Sequence, residues 1–370
     1  MRALSLTRVP EPVMAVWRGL AHAAVTWLVG GAVRDLALGL APVDFDLATA
    51  MPPDGVMRWA EQAGLAVVRD GLAYGRVGLR MASGRVDVTT FRREGVYPDR
   101  RHPASVAWTA DGIADLGRRD FTVNAMAVPL DGGIIDPWDG LADLERRCWR
   151  AVGDAEVRLA EDALRVLRAV RFLAYAPGDW WWAPDLGAAL RRQAASALSL
   201  SPDRQSAEWR AILLHPFPQR AVAAGADLGL WPPWPAGMPD LGRLPTPGER
   251  VALLRALGWR PGIMKVRWPR SWEGEAARLL SGLSRGRAPR ELALPAARLA
   301  SVLGRPWRPA PVSAEELMRA LELAPGPLVG ILQRRLDQWA AALAQPPSTA
   351  EAVRQARRLL ASLPAPPARR

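Results

Sequence analysis

Apolar and polar positions follow two different periods along this chain. In the N-terminal third, short apolar or alternating runs interleave with stretches of helical spacing, and from Glu156 onward helical spacing dominates. Residues 11–23 have the pattern of an amphipathic helix packed on a sheet. Thr26 to Val29 reads as a short buried strand that delivers Gly30 and Gly31 into a tight turn, and a helix follows from Ala32 to Leu38, closed by Gly39. Pro42 resets the chain. Val43 to Leu47 then alternates with period two, which predicts a half-buried strand with Asp44 and Asp46 on one face and Phe45 and Leu47 on the other. Pro52, Pro53 and Asp54 open a helix that runs to about Ala63. Runs around Ala66–Val68, Arg76–Met81 and Arg85–Thr90, separated by glycines, predict further strands of the same mixed sheet. In the last of them Val86 and Val88 face away from Asp87.

Beyond that strand, Arg92 to Arg101 with His102 and Pro103 is polar, arginine-rich and broken by glycine and proline, so it predicts a mobile loop. Asp115 to Arg119 end a helical turn, Phe121 to Val128 are apolar enough to be buried, and Gly132 to Ile135 predict a short hairpin strand before a helix at Leu141. One continuous helix is expected from near Glu156 through Phe172. On it Asp162, Arg165, Arg168 and Arg171 recur every three residues as a slowly turning polar ridge, with Leu164, Leu167, Val170 and Leu173 on the apolar side. From Trp180 to the end, Ala/Leu/Arg-rich helical stretches alternate with proline-rich joints at 231–247, 305–311 and 345–348, and the final A-P-P-A-R-R predicts a disordered tail. The expected fold class is an α/β N-terminal part, a small mixed sheet with flanking helices, followed by an all-α C-terminal half. Its expected divisions are a sheet domain at 1–145, a helical domain at 146–235 and a second helical domain at 236–370.

Composition narrows the class of function. The 370 residues are 49% apolar, which excludes wholesale disorder, and no apolar run approaches the roughly 20 residues of a membrane span. The first residues lack the basic-then-apolar pattern of a signal peptide. Cys148 is the only cysteine, so no intrachain disulfide and no cysteine zinc cage exist, which suits the cytoplasm. Net charge is +12, carried by arginine except for Lys265. A GC-rich genome accounts for arginine over lysine, yet the charge remains, and binding of phosphate backbones is its commonest use. His22, His102 and His215 are isolated and none precedes an aspartate, so no HD phosphohydrolase is expected. Nothing in the sequence implies a protein partner.

The chemistry gathers in the opening stretch. Glycines at a strand-to-helix turn let backbone N–H groups approach a phosphate, and the helix N-terminus adds a positive dipole end. Arg34 in the first helical turn can add a charge-assisted contact. Adjacent Asp44 and Asp46 repel unless cations neutralise them, and two Mg²⁺ ions facing a triphosphate satisfy them with oxygen ligands. Asp87 supplies a third carboxylate, as a ligand or to help deprotonate an attacking 3′-hydroxyl. A lone glycine pair or a lone D-x-D is ordinarily only a turn or a solvated edge; their combination here is far more specific.

That combination, L-V-G-G-A-V-R-D followed by D-F-D, resembles the nucleotidyltransferase signature in the form carried by the class II tRNA nucleotidyltransferases, the bacterial CCA-adding enzymes and poly(A) polymerases. Arg118 to Ala125, R-R-D-F-T-V-N-A, matches a second family signature in full. Asp136 to Leu144 match D-P-x-x-G-x-x-D-L, and E-D-A-L-R-V-L-R-A-V-R-F from Glu161 to Phe172 matches a third signature. Ser201-Pro202-Asp203-Arg204 with Glu208 resembles a fourth, where the family usually has Glu-Arg, so a supporting role follows. The resemblance covers roughly residues 25–210. It implies a nucleotidyltransferase palm for the sheet domain, and addition of C and A to the 3′ end of tRNA from CTP and ATP with two Mg²⁺ ions. It also implies that Asp162 and Arg165 read the edge of the incoming base, and that Arg119, Arg168 and Arg171 contact nucleotide or primer. A-only addition and poly(A) synthesis remain the rival activities within the family. A non-catalytic tRNA-binding protein is the rival outside enzyme classes, although it would be expected to lose a carboxylate or the glycine turn.

Overall fold

Six strands, Ala66–Gly71, Arg76–Met81, Gly84–Thr90, Asp46–Thr49, Thr26–Val29 and Ala127–Val128, lie side by side in that order in a computed structural model of the chain. The structure describes residues 4–82, 84–232, 241–256, 266–284, 314–323 and 348–361, with positions 295, 299, 328, 329, 331, 332, 335, 336 and 339. Helix α1 (Glu11–Ala23) buries Val13, Val16, Trp17 and Leu20 on one face, the spacing that makes it amphipathic. Trp17 and Leu20 are fully buried, each stabilising the packing on the sheet by about 1.5–3 kcal/mol. Strand β1 (Thr26–Val29) turns at Gly30 into α2 (Gly31–Ala37), and β2 (Asp46–Thr49) returns antiparallel to β1. After α3 (Pro53–Gln62), β3 (Ala66–Gly71), β4 (Arg76–Met81) and β5 (Gly84–Thr90) form a meander whose last strand pairs parallel with β2.

Several boundaries differ from the sequence pattern, each for a local reason. The strand expected at Val43–Leu47 begins only at Asp46, and Asp44 lies in the segment before it. Val29 is the last residue of β1 and pairs with Asp46; once the chain turns away at Gly30, Phe45 and its predecessors have no strand to bond. Part of the expected loop at 92–101 is strand. Here β6 (Arg92–Glu94) pairs antiparallel with β7 (Val106–Trp108), leaving 95–105 as the connection. The hairpin strand at Gly132–Ile135 reduces to one bridge, Ile135 on Ala127 of β8 (Ala127–Val128). The joint at 231–247 is described only in part. Those at 305–311 and 345–347, and the tail, lie outside the described residues.

Helices α4 (Gly112–Gly117) and α5 (Gly140–Arg146) flank the R-R-D-F segment. A two-stranded parallel ribbon, β9 (Cys148–Trp149) with β10 (Trp181–Trp182), had no signal in the alternation because each strand is only two residues long. The continuous helix expected from Glu156 to Phe172 is two helices, α6 (Ala155–Glu161) and α7 (Leu164–Phe172), broken at an extended Asp162. The break is stabilised by Asp162 itself, whose carboxylate accepts the Leu164 N–H at 2.9 Å, as short polar side chains do at helix starts. Helices α8 (Pro184–Gln193), α9 (Pro202–Leu214), α10 (Pro218–Asp227), α11 (Pro247–Ala256) and α12 (Arg270–Ser284) follow, with further helices at Ala314–Leu321 and Thr349–Ala361. One hydrophobic cluster runs without interruption from Trp17 and Leu47 through Phe121, Trp149 and Phe172 to Trp209, Leu253 and Leu279. The sheet and the first helices after it therefore share a core. Leu317, Leu336, Ala352 and Ala356 form a separate cluster.

Candidate active site

The two faces of the sheet differ in chemistry. Leu47, Val86 and Val88 belong to the large core on one side, and Val29, Ala48 and Ala127 to a smaller cluster on the other. Strand register aligns Ala127, Val29, Asp46, Asp87 and Gly78 in one row across β8, β1, β2, β5 and β4. Side chains paired in register share a face, so Asp46 and Asp87 stand next to each other on the side away from the large core. Asp44, exposed, precedes Asp46 by two residues.

Cations that the sequence pattern did not single out surround Asp87. Arg85 donates from Nε to Asp87 at 2.5 Å and from its two terminal nitrogens to Asp70 at 2.8 Å. Arg76 lies 3.6 Å from Asp87 and 3.3 Å from Asp70. Gly78 makes this possible, because a Cβ there would lie 2.6 Å from the Arg85 guanidinium. Asp46 has no such clamp. Although it is open to solvent, the protein mass around it pushes its carboxyl up from the ordinary value; Arg119 pulls it back, and the charges of Asp87 and Asp44 push it further up. A divalent cation would relieve that strain, and carboxylate oxygens are the donors a hard cation takes. Among the described residues no three acidic or histidine side chains are gathered as a ready cage. Asp44 and Asp46 nonetheless fit such an ion by charge and donor type.

Gly30 starts α2 at φ 72° and ψ −134°, a conformation open only to glycine. The Arg119 guanidinium lies over it, and a Cβ at Gly30 would meet Arg119 Nη1 at 2.9 Å. Arg119 stands 3.5 Å from Asp115, and its buried Nε makes no hydrogen bond. Burial pulls its pKa down, opposed by Asp115 and Asp46 among its neighbours. An arginine so placed, beside a strand-to-helix glycine turn and near Asp46, offers an anion both charge and an unused donor. Gly31 sits against the Arg34 guanidinium, with a 3.4 Å approach for a Cβ. Arg34 is buried, however. It donates to Asn124 at 2.6 Å and Asp35 at 2.9 Å, and lies 4.1 Å from the Tyr175 ring centroid. In this arrangement its donors face protein groups.

The ridge expected on one helix is divided by the break: Asp162 and Arg171 reach α9, while Arg165 and Arg168 reach α6 and the R-R-D-F segment. Arg204 of α9 holds both oxygens of Asp162 at 2.9 Å. Arg165 donates to the carbonyls of Arg158 at 2.9 Å and Arg118 at 3.1 Å, and pairs with Glu161. Arg168 donates to Asp120 at 2.7 Å, and Arg171 to Glu208 at 2.7 Å. Asp120 also accepts from Asn124 at 3.1 Å, so the R-R-D-F-T-V-N segment ties α7 to the Arg34 anchor. Arg168, with hydrogen bonds from Asn124, holds the buried Asp120 carboxyl well below its usual range despite burial. Asp120 and Asn124, four residues apart within that segment, were legible in the sequence as a motif; their partner Arg168 was legible only as part of a ridge. Glu208, given a supporting role with Asp203 and Arg204, orients Arg171.

The chain matches known proteins in this region. Residues 26–150 match the poly A polymerase head domain. The CCA-adding enzyme of Geobacillus kaustophilus is 36% identical over 256 residues, covering 67% of this chain and 56% of that protein, so the chain spans about half the length of the curated relatives it matches. The crystal structure of the Bacillus stearothermophilus CCA-adding enzyme in complex with CTP is similar with a TM-score of 0.68 at 26% identity, covering 95% of this chain and 99% of that one. A Thermotoga maritima CCA-adding enzyme complexed with tRNA shares the fold, with a TM-score of 0.57 at 18% identity over 97% of this chain and all of that one. With its glycine turn, its carboxylate row and this head domain, the chain belongs to the class II tRNA nucleotidyltransferase family of bacterial CCA-adding enzymes and poly(A) polymerases.

Proposed function

We propose that this chain adds C and A nucleotides, without a nucleic-acid template, to the 3′ end of tRNA from CTP and ATP. The observation that carries the reading is the row of Asp46 and Asp87 on one sheet face, beside the Arg119 guanidinium seated over Gly30. The names of the relatives, and the CTP bound in one of them, support it. So does the +12 charge, which suits a polyanionic acceptor.

In the reaction the terminal 3′-oxygen bonds to the α-phosphorus, the α–β bridging oxygen leaves with pyrophosphate, and the hydroxyl proton passes to a base. Asp44 and Asp46 would hold two Mg²⁺ ions, which when bound neutralise phosphate charge and acidify the attacking hydroxyl. Asp87 stands in register beside Asp46 to receive the proton, with Arg85 and Arg76 setting its position. Gly30 keeps the backbone low enough for a triphosphate to approach, and Arg119 faces its charge. Asp162 and Arg165 read the base edge, which requires that Asp162 exchange part of its contact with Arg204 for the base. Arg168 and Arg171 set the position of α7 through Asp120 and Glu208. Gly31 completes the turn, and Arg34 braces it from beneath.

The sheet part at 1–145 would act as the catalytic head, 146–235 as the nucleotide-recognition neck and 236–370 as the tRNA-binding body. Among the described residues no helix is long and apolar enough to cross a membrane, and with a single buried cysteine we place the protein in the cytoplasm. The test is incubation of tRNA ending in the discriminator base, in -C or in -CC with labelled CTP or ATP and Mg²⁺. Full CCA addition extends all three; extension of the -CC substrate alone would make this an A-adding enzyme. Unlimited adenylation would make it a poly(A) polymerase, and no extension of any would leave a non-catalytic binder.

A further inference from the structure

Two exposed aromatic rings stand where β4 begins, beside Gly75 and the Arg76 that reaches Asp87, without a role in the reaction above. Tyr74 is 37% exposed and Trp108 42% exposed. They come from different elements, the turn before β4 and strand β7, and a glycine joins them. Gly75 has φ 75°, and a Cβ there would lie 2.6 Å from the Trp108 ring, so the indole rests against bare backbone on one side. Arg92, register partner of Trp108, donates to the Tyr74 carbonyl and places its guanidinium 5.7 Å from the Tyr74 ring centroid. On the connection between β6 and β7, Asp99 accepts from the His102 backbone N–H at 2.7 Å and pairs with the imidazole Nδ1 at 2.7 Å. The His102 ring stacks on Tyr74, 6.3 Å between centroids and 16° from parallel. A planar nitrogen heterocycle thus already lies nearly parallel to the phenol, offset beside it.

The position of this cluster matters. Arg76 directly follows Gly75, and its guanidinium is 3.6 Å from Asp87. Arg100 and Arg101, on the same connection as His102, are exposed. Solvent-facing rings bordered by arginines are the composition that binds single-stranded nucleic acid without reading its sequence, since every base has a π face. We propose that Tyr74, Trp108 and His102 form a stacking platform for the unpaired 3′ end of the RNA acceptor. The platform leads the terminal ribose past Arg76 to Asp87. Indifference to base identity suits an acceptor whose last nucleotide changes at every addition. The inference rests on the proposed tRNA-extending activity and specifies where on the head the acceptor lies.

The test uses the full chain, a tRNA lacking its 3′ CCA, and the same tRNA with an abasic terminal unpaired nucleotide. Tyr74→Ala should raise KM for the intact tRNA by about 5- to 150-fold, the range for losing a base–aromatic stack, with KM for CTP unchanged. Tyr74→Phe, which keeps the ring, should stay within about twofold of the parent. The abasic end should weaken the parent by a similar factor and Tyr74→Ala hardly further, because both changes remove one stack. A Tyr74→Ala protein with unchanged KM for tRNA, a loss that falls on CTP instead, or additive losses with the abasic end would each overturn the platform while leaving tRNA extension standing. A parent chain that extends no tRNA would overturn the functional reading and the platform together.

Discussion

Gly30 shows how one position can fix a site. Its backbone conformation is closed to other residues, and Arg119 occupies the space where a side chain would begin. Gly30→Ala should cost about 1–3 kcal/mol of stability and sharply weaken triphosphate binding, measured by denaturant unfolding and by KM for CTP. Gly31→Ala, whose Cβ would only touch the Arg34 side chain at 3.4 Å, should fold as the parent does. Asp44→Ala or Asp46→Ala should abolish incorporation of both nucleotides and leave tRNA binding in place; extension near the parent rate with Mg²⁺ would disprove their assignment to metal. His215 illustrates a different residue-scale effect. Burial, with Arg171 and Arg34 nearby, pushes its imidazole down to about 4, and its buried Nε2 makes no hydrogen bond. The folded state therefore resists the proton that the unfolded chain takes up near pH 6.5. Stability should be complete above about pH 6.5 and fall as pH drops toward 4, by about 1–2 kcal/mol at pH 5. His215→Gln should flatten that slope in urea unfolding at pH 7 and pH 5.

At the scale of elements, the decisive feature is the break between α6 and α7. Asp162 caps α7 by accepting the Leu164 N–H, holds Arg204, and is proposed to read the base. Asp162→Ala removes the cap and should lose about 0.5–2 kcal/mol, whereas Asp162→Asn keeps an oxygen for Leu164 and should stay close to the parent. Both should admit UTP and GTP more readily against CTP and ATP, by up to about 100-fold, because a buried polar site rejects a wrong base through unpaired groups. Equal slowing of all four nucleotides would make the break purely architectural. Arg168 works differently. It neutralises the buried Asp120, so Arg168→Ala should destabilise by about 2–3 kcal/mol, less than for a fully buried pair because the arginine is partly solvated. Thermal unfolding of the variant measures this directly.

The whole molecule couples sheet and helices through one core and a few polar ties. Arg34 against Tyr175, Asp120 with Arg168, and the Arg118 carbonyl with Arg165 all join the sheet part to α7 and the residues just after it. The glycine turn and the helices that carry Asp162 and Arg165 are thereby kept in one frame, as the proposed nucleotide and base contacts require. The +12 charge belongs to this scale as well. Phosphate contacts release counterions, so tRNA affinity should fall steeply, about tenfold or more between 50 and 200 mM salt in a filter-binding titration. A flat response would mean that the charge reflects codon usage alone.

The glycine turn, the strand of Asp87 and the R-R-D-F and E-D-x-x-R segments were legible in the sequence, because turn chemistry, strand alternation and motif spacing are local properties. The strand limits at Asp46 were not, since a strand ends where its neighbour ends, and β1 leaves at Gly30. The split at Asp162 escaped for a related reason: the ridge spacing suits a continuous helix, but an aspartate that caps the next turn and binds Arg204 favours a break. Arg34 reads as a phosphate ligand from its position in the first turn of α2, yet Asn124 and Tyr175, far along the chain, decide what its guanidinium faces. The row of Asp46 and Asp87, the Arg119 guanidinium over Gly30, the ring pair of Tyr74 and His102 and the Trp108 indole against Gly75 each depend on register between separate strands or packing between separate segments. The sequence by itself therefore determined which chemical groups this protein carries and on what elements. Tertiary structure alone decided which of them meet, because pairing and packing are set by neighbours distant in sequence.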